Sequence, residues 1–234
     1  MVNFKGMTAT IKPLLAGSVL LGMSVLSQSA FADTTATVGG FAYTSPLTTT
    51  ISSTSPSVTE FVYAGGFAGT TSSSAFIAYC VDIAQYLAPW GSSQTYTDGN
   101  LTSAFGSTKA TDLSVLGDKY YALVSDATTS AAFQIATWEI MFEGSGAYNL
   151  GSGSFAATGG TANSAALTLA QSWLTGLSDS GVAYTGSYNI QYITSASYQD
   201  LVIFTAAVPE PETYGMVLLG LGLVGFMARR RKSA

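Results

Sequence analysis

The chain has 234 residues, with eight Lys and Arg against thirteen Asp and Glu, no His and one Cys, and only 9% of it is charged. Without imidazole there is no Ser/His or Cys/His nucleophile pair, no His metal ligand and no imidazole base near neutrality. A single thiol forms neither an internal disulfide nor a multi-thiolate zinc site, so neither a metal nor a cofactor is expected. Between Asp33 and Val208 only Lys109 and Lys119 stand against eleven acids, a formal net charge of −9. Nucleic acid is therefore excluded as a partner, because almost nothing is available to neutralise phosphates.

In chain order, Lys5 and Lys12 precede the apolar run 14–26, and Ala30-Phe31-Ala32 follows it. A basic start, a short apolar stretch and a small-residue exit predict a secretory signal peptide over residues 1–32, with Ala30 and Ala32 forming the cleavage site.

From 33 to 207 the chain is dense in Ser, Thr, Gly, Ala and Tyr, the composition of a secreted β-rich domain whose polar surface is built from hydroxyls. Strands are predicted over 36–44, 58–63, 75–83, 184–193 and 198–206. The Ser/Thr/Pro stretch 45–56 reads as a loop. A helix is predicted over 130–142, with Thr128 or Thr129 as N-cap and Gly144 as the stop. Its residues Phe133, Ala136, Thr137, Ile140 and Met141 have the spacing of an inward face. A second helix is predicted over 163–177, with Gly181 beyond its end, and a shorter one over 118–124. The order of strands, helices and strands argues for an α+β fold, a β-rich single domain with two to three helices inserted between strands.

The chain closes with Pro209-Glu210-Pro211, an apolar run over 214–228 and the cluster Arg229-Arg230-Arg231-Lys232. Fifteen apolar residues span only about 22 Å as a helix, short of the ~30 Å hydrocarbon core. The three parts, in this order, resemble the PEP-CTERM sorting signal of Gram-negative bacteria over residues 208–234. That resemblance implies transient anchoring in the inner membrane with the arginines held in the cytoplasm. It further implies recognition and cleavage by an exosortase, and delivery to the cell surface or extracellular matrix.

Two residues carry candidate chemistry. Cys80 lies in the apolar strand-type run Phe76-Ile77-Ala78-Tyr79-Cys80-Val81 and is expected to be buried. There it acts as a small hydrophobe, although an unpaired thiol in an exported protein is an oxidation liability. Gln134 sits in an otherwise apolar helix, where a buried amide either finds hydrogen bonds or is chemically consumed. Asp82, two residues past Cys80, falls on the same strand face, where it would orient Gln134 or an incoming nucleophile, or simply act as a surface or capping carboxylate. Glu139 and Glu143, one helical turn apart, are expected to face solvent.

Tyr79-Cys80-Val81 and Gln134-Ile135-Ala136-Thr137-Trp138 resemble the thioester domains of bacterial surface adhesins, which carry an aromatic-Cys-aliphatic strand followed by a helical Gln-x-Ala-x-Trp. Lys119-Tyr120-Tyr121-Ala122-Leu123 is similar to a Tyr-bearing helix before the Gln in that family, while Phe133 stands where the family often has Thr. The resemblance implies an intramolecular thioester between Cys80 and Gln134, sheltered by Tyr79, Phe133 and Trp138. It would be spent once on an amine or hydroxyl, so the protein would be no enzyme. The partners implied are an exosortase and an extracellular polysaccharide or surface protein. A structural or carbohydrate-binding module of the matrix, acting without a covalent bond, is the other function compatible with the composition.

Overall fold

The computed structural model describes residues 33–144, 147–160, 163–178 and 186–207, with isolated positions 219 and 221. The expected signal peptide with Ala30 and Ala32, the motif Pro209-Glu210-Pro211, the rest of the apolar run and the arginine cluster lie outside these residues. Among the described residues no helix is long and apolar enough to cross a membrane.

The fold is α+β. In chain order it comprises β1 (Asp33–Phe41), β2 (Leu47–Thr54), β3 (Ser57–Ala64), β4 (Phe67–Thr71), β5 (Ala75–Cys80), β6 (Ser93–Gly99), α1 (Leu101–Phe105), α2 (Ser107–Tyr120), α3 (Ala127–Phe142), β7 (Phe155–Thr158), α4 (Asn163–Thr175), β8 (Tyr188–Thr194) and β9 (Leu201–Ala206). Six strands close an antiparallel barrel in the order β1-β4-β5-β9-β8-β6, and β3-β2-β7 form a separate three-stranded sheet. Closure leaves the barrel without free edges, which suits strands rich in small hydroxyl residues that do little to blunt an edge.

The stretch 45–56, expected to be a loop, instead contains β2, the central strand of the smaller sheet. Its run Leu-Thr-Thr-Thr-Ile-Ser-Ser-Thr is β-branched at most positions, and Thr49, Ile51 and Ser53 alternate into the core. Threonine suits a pleated, half-buried surface as well as it suits a turn. The short strands β4, β6 and β7 lack a sequence signal for different reasons: Gly and Thr end β4, polar residues fill most of β6, and β7 is only four residues long with two alanines.

Helix α3 organises the interior. Asp126 caps it by accepting from the Thr129 backbone N–H at 2.8 Å, and the Thr129 hydroxyl answers to the Asp126 backbone, closing a capping box. The N-cap is thus Asp126 rather than Thr128 or Thr129. At the other end the chain turns extended at Glu143, one residue before Gly144. Every residue from Ser130 to Met141 is buried, so α3 has no solvent face. It packs between the small sheet, β5 and the helices α2 and α4, and a helix buried on all sides needs apolar residues all round.

Four helices are present among the described residues, not two to three. The region expected as a short helix over 118–124 is the end of α2 followed by a single 3-10 turn, Tyr121–Leu123. Tyr121 stacks on Phe204 with ring centroids 5.1 Å apart, and Tyr120 on Trp173 at the same separation.

Asp126→Ala removes the side-chain half of the capping box while touching nothing buried. We expect a loss of about 1 kcal/mol of stability, with an unchanged slope in urea denaturation; no loss would show that tertiary packing alone sets the start of α3.

Candidate functional site

The site arises where β4 stops short of the end of β5. The last β4 to β5 pair is Phe67 with Ala78. On the other edge of β5 the Val81 N–H donates to the Asp200 carbonyl at 3.0 Å, continuing the ladder with β9. Backbone groups alternate sides along a strand, so the N–H and C=O of Cys80 face the vacated β4 edge.

The side chain of Gln134 fills that edge. The Cys80 N–H donates to Gln134 Oε1 at 2.9 Å, and Gln134 Nε2 donates to the Cys80 carbonyl at 2.8 Å. Gln134 is 1% exposed and Cys80 1% exposed. The amide therefore stands in for one residue of a missing strand. Without it, a buried donor and a buried acceptor on Cys80 would be unpaired at roughly 1–3 kcal/mol each. Gly66, at the turn into β4, lets the chain pass close over the side chains of β5. A Cβ there would stand 2.7 Å from Ile77 and 2.9 Å from the Tyr79 ring, and its N–H donates instead to Ser130 Oγ of α3 at 2.8 Å.

The Cys80 thiol donates to the Asp82 carbonyl oxygen. Burial pushes it up to about 12, opposed by the Asp82 backbone and by the nearby indole of Trp138. At neutral pH the group is thus a protonated, weakly nucleophilic thiol. Trp138 lies one turn beyond Gln134 on α3, so both reach the same region. Its Nε1–H is buried and makes no hydrogen bond of its own.

Cys80 and Trp138 line an apolar cleft of about 430 Å³ that opens among Phe61, Tyr63, Tyr86 and Trp90. These four aromatics are between 51% and 82% exposed. A wider groove of about 720 Å³ lies over α4, between Tyr120 and Gln171, and includes neither Cys80 nor Gln134.

The other residues singled out in the sequence divide by position. Tyr79 and Phe133 point into the core and pack on each other at 4.7 Å, with Phe204 against Phe133 at 5.2 Å. They form a floor behind the Cys80–Gln134 pair and do not line the cleft. Asp82 lies beyond the end of β5 and does not bond Gln134; its Oδ1 accepts from the Ala84 N–H at 2.7 Å and shapes the following loop. Among the described residues no group of three or more His, Cys, Asp or Glu is placed to hold a metal.

Glu139 and Glu143 are buried, contrary to their expected place in solvent. Glu139 Oε1 accepts from the Asn149 N–H at 2.6 Å, and Glu143 Oε2 accepts from Ser154 at 2.9 Å and Phe155 at 3.3 Å. The two carboxylates are anchors for the chain returning from α3 to β7, a role that helical spacing does not reveal. Gly153, at φ +126°, is needed there because a Cβ would collide with the Glu143 carboxylate. Lys109 Nζ reaches the last turn of α3 and donates to the Met141 carbonyl at 2.6 Å.

Residues 207–232 match the PEP-CTERM protein-sorting motif. This is the mark of an exosortase-sorted surface protein. No curated protein sequence matches the chain. Among solved structures, the fold is similar to the N-terminal thioester domain of fibronectin-binding protein SfbI from Streptococcus pyogenes. The identity is 18% and the TM-score 0.40, over 62% of this chain and 86% of that one. It is also similar to the N-terminal thioester domain of a surface protein from Clostridium perfringens, at 10% identity and a TM-score of 0.43, over 74% of this chain and 100% of that one.

The cleft rim was not anticipated from the sequence, because 82–92 has no period and its Tyr86 and Trp90 read as ordinary loop residues.

Burial raises Glu139 to about 7, with Glu143 adding to the shift and the Asn149 N–H opposing it. For a carboxyl raised on folding, the native state holds the extra proton between the unfolded value near 4.3 and about 7, so stability falls as pH rises through that window. Glu139→Gln should gain stability relative to wild type as pH goes from 5 to 8, read by urea midpoints. Parallel profiles for the two proteins would refute an ionisable Glu139 in the core.

Proposed function

We propose that this is an exported surface or matrix protein, released or anchored by an exosortase, that attaches covalently to its partner through a thioester between Cys80 and Gln134. The observation that carries the reading is the two-point bonding of the Gln134 amide to the Cys80 backbone, beside a thiol lining an open cleft.

The geometry supports the chemistry in a definite order. The Cys80 N–H already donates to Oε1, the atom on which negative charge collects when sulfur adds to the amide carbon, and a donor held at 2.9 Å beforehand acts as an oxyanion stabiliser. The C–S bond forms and the C–N bond breaks. The thiol proton passes to the departing nitrogen, which leaves as ammonia. Opening reverses the sense: an amine or hydroxyl of the partner adds to the same carbon, the C–S bond breaks and its proton goes to sulfur. The partner is left on Gln134 through an amide or ester, with Cys80 a thiol again. This is covalent catalysis used once, without turnover. Burial at the floor of the cleft keeps water away from the bond until the partner enters. The two lysines of the domain are held elsewhere, Lys109 by Met141 and Lys119 by the Gly176 carbonyl at 2.6 Å, so neither consumes the bond.

A second reading, a module that holds the extracellular polysaccharide without a covalent bond, is favoured by the exposed rings of Phe61, Tyr63, Tyr86 and Trp90, since aromatic faces stack on sugars. Intact-mass measurement separates the two. With the thioester formed, the purified protein weighs about 17 Da less than its sequence, the mass of ammonia lost in acyl transfer. Methylamine adds to Gln134, and Cys80→Ala shows neither effect. A full sequence mass for wild type, with matrix association retained in Cys80→Ala, would overturn the covalent reading in favour of the second.

A further inference from the structure

The cleft contains two buried polar atoms of opposite kind with nothing to bond. Trp138 is 4% exposed and its Nε1–H lies near the Cys80 thiol without closing a hydrogen bond to it; Gln85 Oε1 is buried and has no donor. Both residues line the cavity that Cys80 also lines. A buried polar group without a partner is costly, and a ligand entering the cavity would supply one.

The loop that carries Gln85 is pinned on both sides. Asp82 Oδ1 accepts from Ala84, and the Gln199 N–H donates to the Tyr86 carbonyl at 3.1 Å. The backbone on either side of Gln85 is therefore held, which limits where its side chain can reach.

We propose that Gln85 is the acceptor that orients the incoming nucleophile, an inference that rests on the thioester reading above. Its Oε1 accepts a hydrogen from the partner's attacking amine or hydroxyl, turning the lone pair toward the Gln134 carbonyl carbon. As that carbon gains the new bond and the C–S bond breaks, the Trp138 N–H faces the sulfur and steadies the charge it carries before the nucleophile's proton reaches it. The two orphaned atoms are thereby both used, one on the entering group and one on the leaving group. Gln85 is a positioning residue; the chemistry stays with Cys80 and Gln134.

The experiment follows opening of the thioester by methylamine, read by intact mass, in wild type, Gln85→Met and Gln85→Glu. Methionine keeps the length and packing of the side chain but accepts no strong hydrogen bond, whereas glutamate retains an acceptor oxygen. The expected result is a normal ammonia deficit in all three, roughly tenfold slower opening in Gln85→Met, and opening in Gln85→Glu at or above the wild-type rate. A packing role would favour the apolar variant and would not produce this order. Equal rates in wild type and Gln85→Met, or a Gln85→Glu as slow as Gln85→Met, would overturn the assignment. So would a Gln85→Met that lacks the deficit, since Gln85 would then act in forming the bond. If wild type itself shows no deficit, the thioester reading fails, and this inference fails with it.

Discussion

A single side-chain amide completes a β-sheet edge, and much of the architecture follows from that pairing. Strand β5 runs beyond its neighbour β4, exposing the N–H and C=O of Cys80 to the interior, where unpaired backbone groups are costly. Gln134 satisfies both, and it reaches them only because α3 lies against that edge with no solvent between. Helix and barrel are thus tied at one polar point within an otherwise apolar contact. The hydrogen bonds there act as a register for α3, because a shift of one residue along the helix would replace the amide with Phe133 or Ile135.

The consequences run along α3 in both directions. Toward its start, Ser130 accepts from Gly66 and fixes the turn that enters β4. Toward its end, Glu139 and Glu143 accept from the backbone returning to β7. Two carboxylates near a helix C-terminus oppose both the helix dipole and each other, and burial, with a smaller push from Glu143, raises Glu139. They accept the N–H groups of Asn149, Ser154 and Phe155, the last of these buried. Lys109, bonded to the last turn of α3, places a cation next to Glu143.

The cleft combines a wet rim with a dry floor. Its outer walls are exposed aromatic rings from β3 and the loop after β5, and at its base a thiol stays protonated through burial. Such a site discourages stray oxidation, which follows thiolate character and exposure. The sorting motif at 207–232 gives this protection a setting, since it directs a chain with one unpaired cysteine to the cell exterior, where thiols are readily oxidised.

How much of this was legible in the sequence depended on the range of the forces involved. The α+β order and the position of α3 rest on local composition and on helical or strand spacing, which neighbouring residues impose directly, whereas the pairing of Cys80 with Gln134 is implied only by the likeness of two short motifs to thioester domains. The strand status of β2 was hidden because threonine serves turns and strands alike, and the burial of Glu139 and Glu143 because their partners, Asn149 and Ser154, are supplied by a loop with no pattern of its own. Sequence by itself narrowed the candidate chemistry, by leaving one thiol and no histidine and by setting one glutamine within an apolar helix. Only the tertiary structure decided that the amide bonds the thiol's own backbone, that Asp82 turns away to cap a loop, and that Gln85 and Trp138 face the same cavity. Cys80 and Gln134 are 54 positions apart, and Gln85 and Trp138 meet across a space that exists only once the barrel has closed against α3.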